Sequence, residues 1–399
     1  MLRLALAALV LSLACRGEPV RAQRDAAMAR LVDSLKPAVE RAAGFRFKRT
    51  PRSGLRSREQ VRAYLIAKLH QELPPSRVRG IEKAYRLLAL LPDTLALEPL
   101  LVDLYSEQVA GYYDPDSTML FGVSGADPLQ LRLVLAHEMV HALQGQYLPL
   151  DSILHDIRSN DRLTAAQAVL EGQATLVSIR VLSPDVDVTA QPEFWEEYRD
   201  QVADQQEAMP VFAHAPLLIR ETLLFPYLDG AQFMRWWSTT PLRDSLPSGE
   251  RMPGSTEQIL TPDRYLKRDQ PLVLHFVAGQ PRSYEDGLGE LEIRVLDAQL
   301  RGDVEVPREM APIGWGGDLY GLYDSAQGPA LVWYVVWDDA PSADRFVRGT
   351  GSRLRTRARP GYRSELARVE LDGRPASRFV TAPDAWAGWQ DIPRAALAR

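Results

Sequence analysis

The chain has 399 residues, enough for two or three domains, and its 46% hydrophobic and 25% charged residues are ordinary for a globular protein. The formal net charge of -5 argues against a surface that binds nucleic acid. After the N-terminus, no stretch approaches the roughly 18 uninterrupted apolar residues that a membrane span needs.

Residues 1–22 predict an export segment. A positive start at Arg3 precedes an apolar run, 4–14, that is too short to span a membrane. Two endings remain open: a lipoprotein-type box would make Cys15 a lipidated residue, whereas residues 20–22 fit conventional cleavage. Cys15 is the single cysteine, which excludes an intramolecular disulfide. We expect an extracytoplasmic protein that is periplasmic, secreted or attached to the cell envelope through Cys15.

Residues 23–96 predict an N-terminal helical subdomain. The apolar spacing indicates helices at about 23–43, 58–73 and 76–91, with a basic, irregular stretch at 45–54. A capping box at Ser57–Gln60 marks the start of the second helix.

A fourth helix, at about 97–109, leads into a predicted hairpin. Asp114-Pro115-Asp116 is a turn signal, and 118–123 has the pattern of a short strand. A strand at this position could be an edge to which an extended peptide adds itself, or only a structural hairpin.

The next helix, 129–144, carries the motif His137-Glu138-Met139-Val140-His141. Residues four apart lie on one face of a helix, so His137 and His141 can hold one metal ion with Glu138 beside it as general base. Asp127 is placed to cap the helix. Because the helix is apolar nearly all round, we expect it to be buried, where histidine and glutamate need partners such as a metal.

A catalytic zinc needs a third protein ligand. Tyr147 stands where a metzincin would have its third histidine, so that pattern fails. A further helix, 165–181 after a capping box at 164–167, carries Glu171, and we predict that Glu171 completes a site for one zinc ion per chain. His155 and His214 are the alternatives should Glu171 point away. Gly172 costs a helix about 1 kcal/mol relative to alanine, which predicts close approach by another element.

These segments carry a family resemblance. LAHEMVHALQGQY and AVLEGQAT resemble the gluzincins, specifically bacterial exported neutral zinc metallopeptidases of the peptidase MA kind. GYYDPDSTMLFGV, LLFPYLDGAQF and PGSTEQILTPDRY are similar to further shared segments, so the resemblance covers about residues 100–270. It implies a thermolysin-like zincin fold. Many gluzincins have an aspartate that supports a zinc histidine four residues after the third ligand, where this chain has Thr175.

Three downstream side chains are candidates for polarising the scissile carbonyl: Tyr227, Tyr265 and His214. Their spacing does not select among them. The surrounding pattern predicts a helix at 192–204, an apolar segment with prolines at 210–228, and a turn into a helix at 231–238.

Residues 277–399 predict a small α+β domain without a catalytic constellation. We expect a helix at 291–300, a loop at 314–318, strands at 319–323 and 330–337, and a helix at 340–347. Asp372-Gly373 predicts a type I′ hairpin between strands at 365–371 and 376–380.

The predicted fold class is therefore α+β: a helix-rich zincin catalytic domain (97–276) with a small mixed sheet, followed by the C-terminal domain. The predicted function is peptide-bond hydrolysis by a zinc-activated water, with Glu138 as general base and a peptide or protein as substrate. The alternative is an inactive zincin-fold module that binds peptides in the cell envelope. A serine or cysteine hydrolase has no support, because no GxSxG motif occurs and Cys15 lies in the export segment.

Overall fold

The protein is α+β. The computed structural model describes residues 5–125, 127–154, 159–191, 193–277, 279–307, 313–357 and 359–398, with side chains described from residue 23 onward except at residue 72. The helices and strands in chain order are α1 (Ala5–Ala43), β1 (Arg52–Arg56), α2 (Arg58–Glu72), α3 (Pro75–Leu87), α4 (Leu97–Gln108), β2 (Gly111–Asp114), β3 (Met119–Val123), α5 (Pro128–Gln144), α6 (Leu150–Leu154), α7 (Asn160–Leu182), α8 (Phe194–Glu207), α9 (Pro210–Ala213), α10 (Leu217–Trp237), α11 (Thr256–Leu260), α12 (Pro262–Leu266), β4 (Leu274–Phe276), β5 (Tyr284–Asp286), α13 (Gly289–Arg301), β6 (Trp315–Tyr323), β7 (Ala330–Trp337), α14 (Ala340–Arg348), α15 (Thr350–Thr356), β8 (Tyr362–Leu371), β9 (Arg374–Pro383) and β10 (Ala395–Leu397). Within the described part of the chain, no helix has both the length and the apolar character needed to cross a membrane.

The chain divides into two compact units, and both are built from discontinuous segments. The first unit comprises residues 1–66, 105–150 and 173–197, and the second comprises 67–104, 151–172 and 198–399. The division cuts α7 directly after Gly172. The sequence-based ranges 1–22, 23–96, 97–276 and 277–399 stay predictions.

A three-stranded mixed sheet organises the first unit. Its order is β1-β3-β2, in which β1 is parallel to β3 and β2 is antiparallel to it. The predicted hairpin is thus confirmed. The prediction that 45–54 is irregular is wrong at its end, where β1 begins at Arg52. Strand β1 gains its hydrogen bonds from a strand 67 residues away, which the local sequence pattern does not signal.

The core of the first unit lies on one side of α5. Val32, Leu35 and Val39 of α1 are buried there, as their helical spacing predicts. Leu120 of β3 and apolar residues of two helices also belong to this core: Leu135, Ala136, Met139, Val140 and Ala142 of α5, and Ala174 and Val177 of α7.

A five-stranded antiparallel sheet of order β5-β6-β7-β9-β8 dominates the C-terminal part of the second unit. Strand β7 lies at the predicted residues, and Asp372 and Gly373 have φ of 50° and 79°, as a type I′ turn requires. The predicted loop at 314–318 is wrong, because β6 begins at Trp315 and passes through a bulge between Trp315 and Gly317.

Asp318 holds this sheet to the start of α13. Its carboxylate accepts hydrogen bonds from the backbone N–H groups of Leu288 and Gly289 and from the indoles of Trp315 and Trp333, at 2.8–3.0 Å. Burial raises the pKa of Asp318, and these donors oppose that rise. Four donors on one buried carboxylate supply the solvation that water would otherwise give.

Two helix predictions need correction. Helix α7 begins at Asn160, so Thr164 is not its cap; the Thr164 hydroxyl donates back to the Asn160 carbonyl at 3.0 Å, inside the helix. Helix α10 runs without interruption from Leu217 to Trp237, with Pro226 inside it, where a turn was predicted. Burial of residues on both sides of Pro226 offsets the cost of a proline within a helix.

Gly172 marks the closest approach of α7 to α10 within the second unit. A Cβ added at Gly172 would overlap the carbonyl of Gly230 and lie 2.7 Å from the nitrogen of Ala231. Conversely, a Cβ added at Gly230 would overlap the carbonyl of Ala168. The expected close approach at Gly172 is therefore confirmed, and the approaching element is the backbone of α10.

We expect Gly172→Ala to destabilise the second unit by about 1–3 kcal/mol, because overlap with backbone atoms cannot be relieved by a side-chain rotation. Helix propensity alone predicts the opposite sign, a gain of about 1 kcal/mol. Urea unfolding followed by circular dichroism distinguishes the two signs. A variant at least as stable as the wild type would contradict the helix crossing described here.

Candidate metal centre

Helix α5, which carries the HExxH motif, has a capped N-terminus. The Asp127 carboxylate accepts from the backbone N–H groups of Leu129 and Gln130 at 2.9 and 3.0 Å, and Pro128 occupies the first turn. The predicted cap is confirmed. The helix ends after Gln144, where the N–H of Gly145 donates to the His141 carbonyl at 2.9 Å.

The prediction that α5 is buried all round is wrong for its first two turns. Leu129 and Leu133 are 66% and 38% exposed, whereas Leu135, Met139 and Val140 are buried. Leu129, Leu133 and His137 are spaced four apart, so the two leucines continue the face that carries the histidines toward the surface.

The two histidines point at one another through their ε nitrogens. The Nε2 atoms of His137 and His141 are 3.1 Å apart, and the ring planes are 74° to each other. Both side chains are half-buried. The helical spacing alone predicted a shared face, and the rotamers place both nitrogens at one point on it.

Glu171 joins the two histidines. One ligand atom from each of His137, His141 and Glu171 lies within 4.8 Å of the other two, and all three residues are partly buried. Among the described residues this is the one group of three or more histidine, cysteine, aspartate or glutamate side chains arranged to hold a metal ion. Glu171 lies three residues before Ala174 and six before Val177, the two residues of α7 that share the core of the first unit with α5.

The spacing of the two imidazole nitrogens fits zinc. Zn–N bonds of about 2.0–2.1 Å at a tetrahedral angle place two ligand nitrogens roughly 3.3–3.4 Å apart, and the two Nε2 atoms are 3.1 Å apart. Two imidazoles and one carboxylate are also a donor set that catalytic zinc uses, and it leaves a fourth position for water or substrate.

Glu138 is anchored by the edge strand of the small sheet. Its Oε2 accepts a hydrogen bond of 2.7 Å from the backbone N–H of Tyr113 in β2. The bond from Val123 N to Ala110 O sets the alternation of the β2–β3 ladder, so that Tyr113 directs its N–H away from β3. Sequence analysis missed Tyr113 because a backbone group 25 residues away leaves no residue-type signal.

A second missed residue is Gln144. Its Oε1 lies 2.9 Å from Nδ1 of His141, and its Nε2 donates to Oε1 of Gln173 at 2.8 Å. Gln144 and Gln173 are both buried. The signal was available, since a residue three positions after His141 shares its side of the helix.

The other residues that the sequence offered for the site lie in hydrogen bonds to backbone carbonyls, at the surface, or outside the described residues. The Tyr265 hydroxyl donates to the Arg251 carbonyl at 2.9 Å, and His214 Nδ1 lies 2.8 Å from the Pro210 carbonyl. Tyr227 is 39% exposed on α10. His155 lies outside the described residues. His214 is not part of the described metal-binding group, and the identity of the carbonyl-polarising residue stays a prediction.

No comparison with a known protein assigns a function to this group of residues. A family model described as a domain of unknown function (DUF8575) matches residues 277–388, within the expected C-terminal domain. A solved structure described as "a putative hydrolase with a novel fold" from Chloroflexus aurantiacus is 19% identical, covers 62% of this chain and 90% of its own, and has a TM-score of 0.41. At that score the likeness carries no argument about function. No curated protein matches the chain.

Removal of a ligand tests the centre directly. After zinc loading and dialysis, elemental analysis should find about one zinc per wild-type chain and none in stoichiometric amount in His141→Ala, because a ligand is lost. Glu171→Ala should weaken binding by more than the roughly 10–100-fold typical of losing a residue that only supports a ligand. Glu196→Ala, at an exposed glutamate of the first unit, is the control. Wild-type zinc content in both ligand variants would disprove the site.

Proposed function

We propose that the protein is an exported zinc metallopeptidase of gluzincin type, with a zincin fold in its catalytic part. The observation that carries the proposal is the convergence of His137, His141 and Glu171 beside a glutamate of the HExxH motif. A metal-binding module needs the three ligands, whereas only a hydrolase has use for Glu138 next to them.

His137, His141 and Glu171 would hold the zinc. When bound, the ion supplies a Lewis acid that polarises the peptide carbonyl and activates water for attack. The role of the protein is then to fix the ligands, to move a proton and to place the peptide.

Glu138 would be the group that moves the proton. The Tyr113 N–H donates to its Oε2 at 2.7 Å, which helps to keep the carboxylate in place. A carboxylate held in this way can accept a proton from the attacking water and return it to the leaving amine.

Strand β2 suggests how the substrate would lie. It is the edge strand of the β1-β3-β2 sheet and runs beside α5, to which Tyr113 ties it through Glu138. A peptide extended along this edge would carry its backbone past Glu138. An extended peptide or an unfolded segment of a protein is therefore the proposed substrate class.

The cellular location belongs to the same proposal. The charge at Arg3, the apolar run and the cleavage signals support export, and Cys15 supplies a site for a lipid anchor. The net charge of -5 is consistent with a peptide rather than a nucleic acid as partner.

Glu138→Gln tests the chemistry. The amide keeps the size of the side chain and an oxygen for the Tyr113 N–H, but it cannot act as a base. We expect normal folding and zinc content, and a fall in peptide cleavage of about 10²–10⁴-fold. Cleavage of a broad peptide library, read by mass spectrometry, is the measurement, with Glu196→Gln as the matched glutamate control.

Equal cleavage by wild type and Glu138→Gln would contradict the mechanism. Tight peptide binding by the zinc-loaded wild type without any cleavage would favour the alternative, a binding module that retains the fold without turnover.

A further inference from the structure

We infer that Gln144 and Gln173 form a neutral amide relay that orients His141 toward the metal. The inference rests on the proposed function, because it concerns how one of the proposed zinc ligands is held. It assigns a positioning role to two residues on different helices.

The first step is the tautomer of His141. Its Nδ1 is 2.9 Å from Oε1 of Gln144, and an amide oxygen can only accept. The proton of the neutral imidazole therefore sits on Nδ1, which leaves the lone pair on Nε2. That lone pair faces Nε2 of His137, 3.1 Å away, where the metal would bind.

The second step fixes the amide itself. Nε2 of Gln144 donates to Oε1 of Gln173 at 2.8 Å, so the amide cannot rotate by half a turn without placing two oxygens or two N–H groups against each other. Gln144 is 1% exposed and Gln173 is 6% exposed, so water does not offer a replacement partner. The hydrogen bond also ties the helix of His141 to the helix of Glu171, two residues before Gln173.

The third step concerns charge. A carboxylate in this place would make a charge-assisted hydrogen bond to Nδ1–H and raise the basicity of the imidazole. An amide oxygen orients the imidazole of His141 in the same way but adds no charge. The relay would thus orient His141 without placing a second negative charge beside the metal site.

Four variants separate positioning from general structure. Gln144→Leu removes the acceptor at similar size, Gln144→Glu keeps an acceptor and adds charge, and Gln173→Leu removes only the outer link. Gln130→Leu, at an exposed glutamine in the first turn of α5, is the control. Zinc affinity is measured by competition with a chelator. The tautomer of His141 is read in the zinc-free protein from long-range ¹H–¹⁵N spectra.

Gln144→Leu should weaken zinc binding about 10–100-fold and lose the preference for Nδ1–H at His141. Gln173→Leu should weaken it less, and Gln144→Glu should bind zinc at least as tightly as the wild type. A purely structural role predicts instead that Gln144→Glu, which buries a charge, is the worst variant.

Wild-type affinity and an unchanged His141 tautomer in Gln144→Leu would overturn the inference. An effect of Gln144→Leu without any effect of Gln173→Leu would overturn the relay between the helices. The tautomer of His141 is measured without zinc, so it tests the relay even if the wild type does not bind zinc. Failure of the wild type to bind zinc would contradict the proposed function but not the relay.

Discussion

A row of hydrogen-bonded polar side chains between helices α5 and α7 is the constraint on which the first unit depends. His141 contacts Gln144 and Gln144 contacts Gln173, and the two glutamines are buried. Apolar residues of the same two helices, such as Val140 and Val177, belong to the core of the first unit. Each buried polar group left without a partner would cost about 1–3 kcal/mol. The geometry of this row is therefore strongly specified, and a shift of one helix relative to the other would break the Gln144–Gln173 hydrogen bond and leave two buried amides without their partner.

The same row explains why the proposed ligands converge. The Gln144–Gln173 bond sets the position of α7 beside α5, and Glu171 lies two residues before Gln173 on one continuous helix. Alanines at 136, 142 and 174 let the surrounding core pack closely. A third ligand brought by a rigid helix is held more precisely than one on a loop, which favours a metal site of fixed geometry.

Sequence alone predicted the parts of this arrangement that depend on periodicity. His137 and His141 share a face because a helix repeats every 3.6 residues, and Asp127 caps α5 because carboxylates bind exposed N–H groups. Glu171 was predicted from the chemistry that zinc requires.

Tyr113 could not be predicted as the anchor of Glu138, since its contribution is a backbone N–H whose direction depends on the β2–β3 register. Strand β1 was missed for the same reason, because its partner is distant in sequence. Pro226 misled the prediction of α10, because tertiary burial outweighs a local helix-breaking preference.

The position of bound zinc tests the central claim most directly. Crystals of the zinc-loaded protein, measured at wavelengths above and below the zinc absorption edge, should give one strong anomalous peak per chain. The account predicts this peak at about 2.0–2.1 Å from Nε2 of both His137 and His141 and about 2.0–2.2 Å from a carboxylate oxygen of Glu171. A peak bound by other residues, or one from which the Glu171 carboxylate points away, would contradict it.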